Sequence, residues 1–392
     1  MFLTKIPVVE YPEPWTESFS ERLQRLEQGY RHVAYFYDKP DNSTFRYRVI
    51  NMIEALAETD ASVGASWFSG DELQHLDAIL KRADIIVISR YKYSVSIAHL
   101  IVRARSLGIR VLYDVDDLVF DDRYVQLVMS TLGRPAGDIE FDYWFARLGR
   151  HGALLRLCDG VIVTNEYLAK RASEFCDLPT AIVPNFMNRA QLDRSARILD
   201  SKLSSGFARD RRIHVGYFSG SPTHSRDFAI IEDALLELMD ADPRLVLRIV
   251  GALVPNKRFS RFGCRVEIFP MQNILNLQRL IGEVEINVVP LQDNAFTNCK
   301  SELKIFEASA VGTISIASPS FTLSRAIRNG ETGFISPAHC WRQVLALAID
   351  RLESYPCMAM AAADAALSRY VPEVQGPAVI GVLFGASVSD NF

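Results

Sequence analysis

The stretch 287–319, NVVPLQDNAFTNCKSELKIFEASAVGTISIASP, constrains the fold of this chain more than any other. It predicts a buried strand that ends at Pro290, then a polar loop, and then a helix over Lys300–Val311. Gly312 stops that helix, and the β-branched run Thr313–Ala317 begins the next strand. A strand, a helix and a strand joined by short connections are typical of a parallel α/β sheet.

One face of the predicted helix carries Lys300, Lys304 and Glu307 at spacings of i, i+4 and i+7. A helix that opens in a polar loop after a buried strand favours an anion, because its free N–H groups and its dipole point toward the loop. The two lysines add positive charge, and the carboxylate of Glu307 can accept hydrogen bonds from sugar hydroxyls. The pattern therefore suits a phosphate and a ribose. A solvated amphipathic helix with a surface Lys–Glu pair explains the same spacing, and both interpretations stay open.

Charge and cysteine content argue against several classes of protein. The 392 residues carry a net charge of −4, which disfavours a broad basic surface for nucleic acid. The six cysteines are scattered without a C-x-x-C pair, so neither a zinc site nor a disulfide framework is indicated. No apolar run reaches the roughly 18 residues that a membrane helix needs, and prolines interrupt the first residues before a signal-peptide core forms. We expect a cytoplasmic protein with at most peripheral membrane contact.

The two halves of the chain repeat one pattern of apolar strands and intervening helices. We predict an N-terminal extension over 1–30, a first domain over 31–200 and a second domain over 201–375. A tail over 376–392 follows, for which a return to the first domain is one option, and the polar segment 187–212 is the predicted linker. Neither half carries G-x-G-x-x-G after a strand, a P-loop or G-x-S-x-G. These absences argue against nicotinamide or flavin enzymes, P-loop NTPases and hydrolases with a nucleophile elbow.

A run of acids, Asp114, Asp116 and Asp117, follows a predicted strand. Carboxylates crowded at a strand end repel one another unless they bind something. A divalent metal that bridges phosphates, a substrate contact and a solvated helix cap are the three interpretations, and the substrate contact is favoured over the metal. Arg46 and Arg48 begin a predicted helix, from which they either reach an anion across a cleft or are simply exposed.

A second polar loop, SGSPTHSRDF, follows the predicted strand Ile213–Phe218. Ser219 and Gly220 are small enough to let a ligand approach the backbone. His224 and Arg226 come next, before a helix, as candidates for a phosphate or sugar contact. A lone loop histidine is more often neither.

These pieces, in this order, resemble the retaining glycosyltransferases of the GT-B fold, in particular glycosyltransferase family 4. The resemblance covers roughly 33–370 and is strongest over 213–335. KSELKIFEASAVGTISIASP is similar to the family's donor-site helix and the strand after it, and NGETGFI is similar to its Asn-Gly-x-x-Gly-Phe turn. VIVTNEYLAKRASEF resembles the segment that closes the family's first domain. The resemblance implies an α/β protein with two Rossmann-like parallel-sheet domains that face each other across a cleft.

The resemblance also implies roles for individual residues. Glu307 matches the family's ribose-binding glutamate, and Asp116 stands where the family has a histidine that contacts the donor sugar. Cys299 replaces the family's other glutamate, eight positions before Glu307, so recognition of the sugar is the least transferable feature. The residues assigned to catalysis are Arg226, Lys304 and Asp116. Those assigned to donor binding are Ser219, Gly220, His224, Lys300, Ser301, Glu302 and Glu307, and those assigned to the acceptor or sugar side are Arg46, Arg48 and Asp117.

The reaction so implied is transfer of a sugar from a nucleoside-diphosphate sugar to an acceptor hydroxyl, with retention of configuration and without a metal or other cofactor. The expected acceptor is a glycan or a lipid-linked acceptor of bacterial-type surface polysaccharide or glycan synthesis, and no nucleic-acid partner is expected. Two alternatives remain. One is a nucleotide-sugar epimerase of similar fold, which would release an epimerised nucleotide sugar without an acceptor. The other is a catalytically silent scaffold in a polysaccharide assembly complex, which would bind no nucleotide.

Overall fold

Two six-stranded parallel sheets form the framework of the protein in a computed structural model of the chain. The structure describes residues 1–41, 43–131, 137–220 and 225–385. In the first sheet, alternate apolar residues of strands β1 to β5 join one of two separate cores, one on each face. Burial on both faces explains why the strands are continuous apolar runs. The predicted α/β class with two parallel-sheet domains is confirmed.

The strands of the first domain are β1 (Arg31–Tyr37), β2 (Val63–Ser69), β3 (Ile85–Ser89), β4 (Arg110–Val115), β5 (Gly160–Val163) and β6 (Thr180–Ile182). Its helices are α1 (Phe19–Leu26), α2 (Asn51–Thr59), α3 (Leu76–Leu80), α4 (Val95–Ser106), α5 (Val125–Ser130), α6 (Asp138–Leu155) and α7 (Glu166–Phe175). The strand order is β2-β1-β3-β4-β5-β6. The order reverses between β1 and β3, and open parallel sheets bind ligands at the carboxyl ends of the strands at such a point.

Helix α8 (Arg189–Ser204) connects the two domains, although the sequence predicts a polar linker over 187–212. Asn188 caps this helix, since its side chain accepts a hydrogen bond from the backbone N–H of Gln191. Leu192 packs into a core of the first domain, and Ile198 packs into a core of the second. The buried stripe of the helix itself includes polar residues, among them Gln191, Ser195 and Lys202, so composition alone hides it.

The second domain begins with β7 (Ile213–Ser219) and continues with β8 (Leu245–Gly251), β9 (Val266–Phe269), β10 (Ile286–Val289), β11 (Ile314–Ala317) and β12 (Gly333–Ile335). Its helices are α9 (Ser225–Ala241), α10 (Ile274–Glu283), α11 (Ala295–Asn298), α12 (Leu303–Ala310), α13 (Phe321–Ala326), α14 (Trp341–Asp350) and α15 (Tyr355–Leu367), and α16 (Pro372–Phe384) follows them. The strand order, β12-β11-β10-β7-β8-β9, is that of a Rossmann sheet with its switch point between β7 and β10.

The helix predicted over Lys300–Val311 is observed as α12, which begins at Leu303, and the short helix α11 lies before it, in the stretch predicted as a polar loop. Between them, the carbonyl of Cys299 accepts a hydrogen bond of 2.8 Å from Nδ2 of Asn165 in the first domain. That contact holds a turn before α12, so the predicted helix is present but starts about one turn later than the sequence indicated. Gly312 ends α12 with a φ of 61°, a conformation that glycine adopts without strain.

Both ends of the described chain pack on distant parts of the protein. Phe2 lies in the core of the second domain, whereas α1 packs on β2 of the first. Helix α16 packs against α2 of the first domain, and Arg110 donates a hydrogen bond of 2.9 Å to the carbonyl of Val382. Gly376 permits this approach, because a Cβ there would lie 1.9 Å from Oγ1 of Thr59. The first domain is therefore completed by the last helix.

Candidate active site

Helix α12 lies where the two domains meet. Phe306 stacks on Tyr370 with 4.6 Å between the ring centroids, and it belongs to a core of the first domain. Lys304 is directed to the other side, where its Nζ lies 5.0 Å from the ring centroid of Tyr217 on β7. One helix thus faces both the domain contact and the carboxyl end of β7, which is the switch point of the second sheet.

Glu307 is held by side chains from outside its own domain. Its Oε1 accepts hydrogen bonds from Oη of Tyr47 and from Nε2 of Gln191, the latter at 3.3 Å. Gln191 also donates to Oη of Tyr47 at 3.1 Å. Only 4% of Glu307 is exposed, and this burial raises the pKa of its carboxyl to about 7, although the two hydrogen bonds and the charge of Lys304 oppose the rise. Glu307 therefore changes charge near neutral pH.

Lys304 has a pKa shifted in the opposite direction. Burial lowers the pKa of its ammonium to about 8, and the charge of Lys300 adds to that decrease while the carboxylate of Asp227 opposes it. A half-buried lysine and a buried glutamate one turn apart, both with pKa values near neutrality, are a common sign of a functional site. The surface Lys–Glu pair considered from the sequence is excluded, because Glu307 is buried and bonded elsewhere.

The three acids Asp114, Asp116 and Asp117 pair with two arginines of the first domain. Asp114 forms an ion pair with Arg48 inside the first domain. Asp116 accepts from Oγ1 of Thr44 at 2.8 Å and from Nη1 of Arg90 at 3.0 Å. Oδ2 of Asp117 lies 3.4 Å from the same nitrogen of Arg90.

Lys300 of the second domain approaches this acidic cluster. Its Nζ lies 4.0 Å from Oδ1 of Asp117 and 4.8 Å from the ring centroid of Phe296. Charges of both domains therefore meet at the carboxyl ends of the strands. The structure brings together Lys300, Lys304, Asp116 and Asp117 among the residues predicted from the sequence.

Arg90 occupies a backbone conformation that non-glycine residues rarely adopt. Its φ is 44°, directly after β3 at the switch point of the first sheet. Such strain costs of order 1–3 kcal/mol and is concentrated at functional sites. Its backbone N–H donates to the carbonyl of Asp114 at 2.8 Å, which fixes the turn. Nothing in the sequence predicts this backbone conformation. The position of Arg90 directly after a buried strand is the one feature that could have indicated a site residue.

The guanidinium groups of Arg46 and Arg48 do not line the cleft, in contrast to the expectation from the sequence. Arg46 is 1% exposed, pairs with Oε2 of Glu13 at 2.5 Å and lies 5.5 Å from the rings of Tyr11 and Trp15. Arg48 is fully buried. Both lie in a π-helical turn, Arg46–Ile50, and their guanidinium groups pair with Glu13 and Asp114, whereas Tyr47 between them reaches Glu307 of the second domain. They anchor the N-terminal segment and the first sheet.

Ser301 and Glu302 lie in the turn before α12 and contact the first domain or the C-terminal segment. Ser301 accepts a hydrogen bond of 3.0 Å from Nδ2 of Asn185. Glu302 accepts one of 2.7 Å from Oη of Tyr370, and burial raises the pKa of its carboxyl. Cys299, which stands in place of the family's other glutamate, is completely buried, and this raises the pKa of its thiol. These groups join the domains rather than face the lysines.

The loop after β7 is partly described. Ser219 is buried at the end of the strand, and Gly220 is exposed with no described atom within 4 Å of a Cβ placed on it. Arg226 is exposed in the first turn of α9, whereas His224 lies outside the described residues. At the first turn of the same helix, Asp227 accepts a hydrogen bond of 3.1 Å from the backbone N–H of Gln292.

Four contributors to the site were not predicted from the sequence: Thr44, Tyr47, Arg90 and Gln191. Within the described ranges, no group of three or more His, Cys, Asp or Glu side chains could hold a metal ion. None of the helices in the part of the chain that the structure describes is long and apolar enough to cross a membrane.

No protein-family model matches the chain, and no curated protein matches it in sequence. Solved structures do match it. HepE of Anabaena, solved in complex with UDP, is 12% identical with a TM-score of 0.60, over 89% of this chain and 98% of that one. WaaG, a glycosyltransferase involved in lipopolysaccharide biosynthesis, is also 12% identical with a TM-score of 0.60, over 90% of this chain and 100% of that one.

Sucrose-phosphate synthase from Thermosynechococcus elongatus is 17% identical with a TM-score of 0.58, over 88% of this chain and 96% of that one. Identities this low show the fold and not the reaction. The chain has the architecture of GT-B glycosyltransferases, and its length corresponds to nearly the whole of each matched protein.

Proposed function

We propose that this protein is a glycosyltransferase that moves a sugar from a nucleoside-diphosphate sugar to an acceptor hydroxyl with retention of configuration. The observation that carries the proposal is the pair Lys304 and Glu307, a half-buried and a buried ionisable side chain with pKa values of about 8 and about 7 at the switch point of the second sheet. The GT-B architecture supports it, as does the UDP-glucose bound to the matched HepE structure.

The donor nucleotide would lie at the carboxyl ends of β7 and β10. Its ribose hydroxyls would donate to Glu307, whose Oε2 has no hydrogen bond among the described residues. Its diphosphate would be neutralised by Lys304 and Lys300 and by Arg226 at the first turn of α9. Gly220, which is exposed with no described atom within 4 Å of a Cβ placed on it, would let the donor approach the backbone there.

The chemical demand is stabilisation of the departing diphosphate as the sugar carbon becomes oxocarbenium-like. Cations that are already in place serve this purpose without a reorganisation cost, and loss of one such contact typically costs about 2.7–4 kcal/mol in the transition state. With a pKa of about 8, Lys304 is largely protonated at neutral pH. We propose that no metal is needed, since these cations supply the positive charge.

The sugar and the acceptor would meet the first domain. Asp116 and Asp117 offer carboxylate oxygens there, and Arg90 holds both acids in place. A glycan or lipid-linked acceptor fits this side, in a cytoplasmic setting with peripheral membrane contact. Arg46, Arg48, Ser301 and Glu302 are not part of this proposal because their polar groups are bonded within the fold or between the domains.

The test is a thermal-shift screen with UDP, GDP, dTDP and their sugars, followed by a transfer assay with the nucleotide sugar that stabilises most. We expect one nucleotide to raise Tm in the wild type and not in Lys304→Ala. The matched control is Lys170→Ala, which removes an exposed lysine on α7. Its Tm should rise with the nucleotide as that of the wild type does.

The outcomes separate the alternatives. Binding with release of an epimerised nucleotide sugar in the absence of acceptor would replace the proposal by an epimerase. Absence of any nucleotide effect would favour the catalytically silent scaffold.

A further inference from the structure

Glu307 is bonded through a chain of donors that spans three parts of the protein: the first domain, the connecting helix α8 and α12 of the second domain. We propose that Tyr47 and Gln191 are positioning residues for the donor nucleotide, which hold one oxygen of Glu307 as an ionised acceptor so that the other accepts from the ribose hydroxyls. The inference rests on the proposed function and extends it to two residues that would not touch the donor.

The hydrogen bonds of this chain run in one direction. Gln191 donates from Nε2 to Oη of Tyr47 and to Oε1 of Glu307, and Tyr47 donates its own proton to Glu307. Consecutive hydrogen bonds of this kind polarise one another and strengthen the last acceptor contact. Oε1 of Glu307 is thereby occupied by two donors, while Oε2 has no such partner among the described residues.

Placing the amide of Gln191 next to Tyr47 and Glu307 leaves its own oxygen without a partner in the part of the chain that the structure describes, which lowers stability. Gln191 is completely buried, and its Oε1 has no hydrogen-bond partner among the described atoms. A buried acceptor without a partner costs about 1–3 kcal/mol. An apolar side chain of similar volume would avoid that cost, so the amide is better explained by what its nitrogen does for Tyr47 and Glu307.

Electrostatics require such donors. Burial favours the protonated carboxyl of Glu307, and the groups that oppose it are Tyr47, Gln191, Lys304 and Arg46. The hydrogen bond from Tyr47 is the largest of these opposing influences. Without it the pKa of Glu307 would rise further above about 7, and more of the protein would carry a neutral carboxyl at neutral pH. A neutral carboxyl is a weaker acceptor for hydroxyls.

The hydrogen bond from Tyr47 to Glu307 depends on contact between the two domains. Tyr47 also packs edge-on against Phe306, with 6.4 Å between ring centroids and 68° between the planes. The hydroxyl therefore reaches Glu307 only when α12 is seated against the first domain. Seating of the domains and ionisation of Glu307 are coupled through one tyrosine.

The experiment measures the affinity for UDP, GDP and dTDP between pH 6 and 9 in the wild type and in Tyr47→Phe, which keeps the ring and removes the donor. With the nucleotide that binds, we expect about fivefold weaker affinity at pH 7, because a pKa raised by one unit from about 7 lowers the ionised fraction of Glu307 from about a half to about a tenth. Affinity should approach the wild-type value at pH 9. In steady-state kinetics KM should rise with little change in kcat.

Tyr370→Phe is the matched control. Tyr370 also packs on Phe306 and also donates to a glutamate of the same segment, but that glutamate is Glu302. We expect this variant to keep the wild-type pH profile. Gln191→Met, close to the same volume, should shift the profile in the same direction as Tyr47→Phe and by less, which provides a second test if Tyr47→Phe does not fold.

Each outcome decides the inference. An unchanged profile in Tyr47→Phe, tighter binding in that variant, or equal shifts in both tyrosine variants would overturn it, the last because packing alone would then explain the effect. If the wild type binds none of the nucleotides, the proposed function itself fails. If the wild type binds a nucleotide and Tyr47→Phe binds it with the same pH profile, only the present inference fails.

Discussion

Arg48 and Asp114 form a two-point ion pair inside the first domain, with 2.9 Å from Nε to Oδ1 and 2.6 Å from Nη2 to Oδ2. Neither side chain is more than 2% exposed. Nη1 of Arg48 donates to the carbonyl of Val183 and to Oδ1 of Asn185, at 2.8 and 3.1 Å. Arg48 and Asp114, which the sequence indicated as candidates for a ligand contact, therefore neutralise each other inside the first domain.

We predict that Arg48→Met lowers the free energy of unfolding by about 3–5 kcal/mol, because it leaves the carboxylate of Asp114 buried without its partner. The double variant Arg48→Met/Asp114→Leu should recover most of that loss, since two apolar groups need no counter-charge. Urea denaturation of the three proteins measures this. A loss below about 1 kcal/mol in the single variant would contradict the buried pair.

Lys304→Ala and Glu307→Ala should fail in different ways. Lys304→Ala should lower kcat by about 10²–10³-fold, because its contact strengthens as charge develops on the diphosphate. Glu307→Ala should mainly raise KM, by about 10–100-fold if a hydrogen bond to a charged group worth about 1.5–3 kcal/mol is lost. Steady-state kinetics with the identified donor distinguish the two.

The control for this pair is Glu174→Ala, which breaks an exposed pair with Arg171 on α7. An exposed pair contributes only about 0.3–0.5 kcal/mol, so kinetics should stay at the wild-type level. Melting temperatures exclude unfolding. Folded Lys304→Ala and Glu307→Ala proteins with wild-type kcat and KM would remove α12 from the active site.

The contribution of Glu307 to the free energy of unfolding should decrease as pH rises, because its carboxyl loses a proton that the folded state binds tightly. Its folded pKa is about 7 against an ordinary value of 4.5, so the folded state binds the proton more tightly than the unfolded state. The stabilisation by protonation is fully present below pH 4.5 and is lost as pH rises through 7. The difference in unfolding free energy between the wild type and Glu307→Gln should change by about 3 kcal/mol over that window. A difference independent of pH would place the pKa of Glu307 near its ordinary value.

We predict that sugar transfer continues in the presence of EDTA. The positive charge for the diphosphate would come from Lys300, Lys304 and Arg226, so a divalent ion would not be required. The measurement compares initial rates before and after chelation, with added magnesium or manganese as the reference. Activity that disappears with EDTA and returns with either ion would make Asp116 and Asp117 candidate ligands instead.

Local patterns in the sequence determined the strands and helices and, through them, the α/β fold class. The apolar run Ile85–Ser89 is a buried parallel strand, and Gly312 ends a helix before the strand Ile314–Ala317, as the punctuation of the sequence indicates. Such features depend on residues within a few positions of one another. The predicted positions of Lys304 and Glu307 on one short helix follow from the same periodicity.

Only the tertiary structure decided which partner each charged group has. Arg48 and Asp114 are 66 positions apart in the chain, and Tyr47 and Glu307 are 260 apart. No spacing rule connects such residues, because their contact depends on how the sheets twist and how the domains seat. The same packing buries Arg46 and gives Arg90 its left-handed conformation. The sequence by itself therefore determined the two α/β halves and the charged helix between strands, whereas burial and long-range contacts decided which of its ionisable groups are left for a ligand.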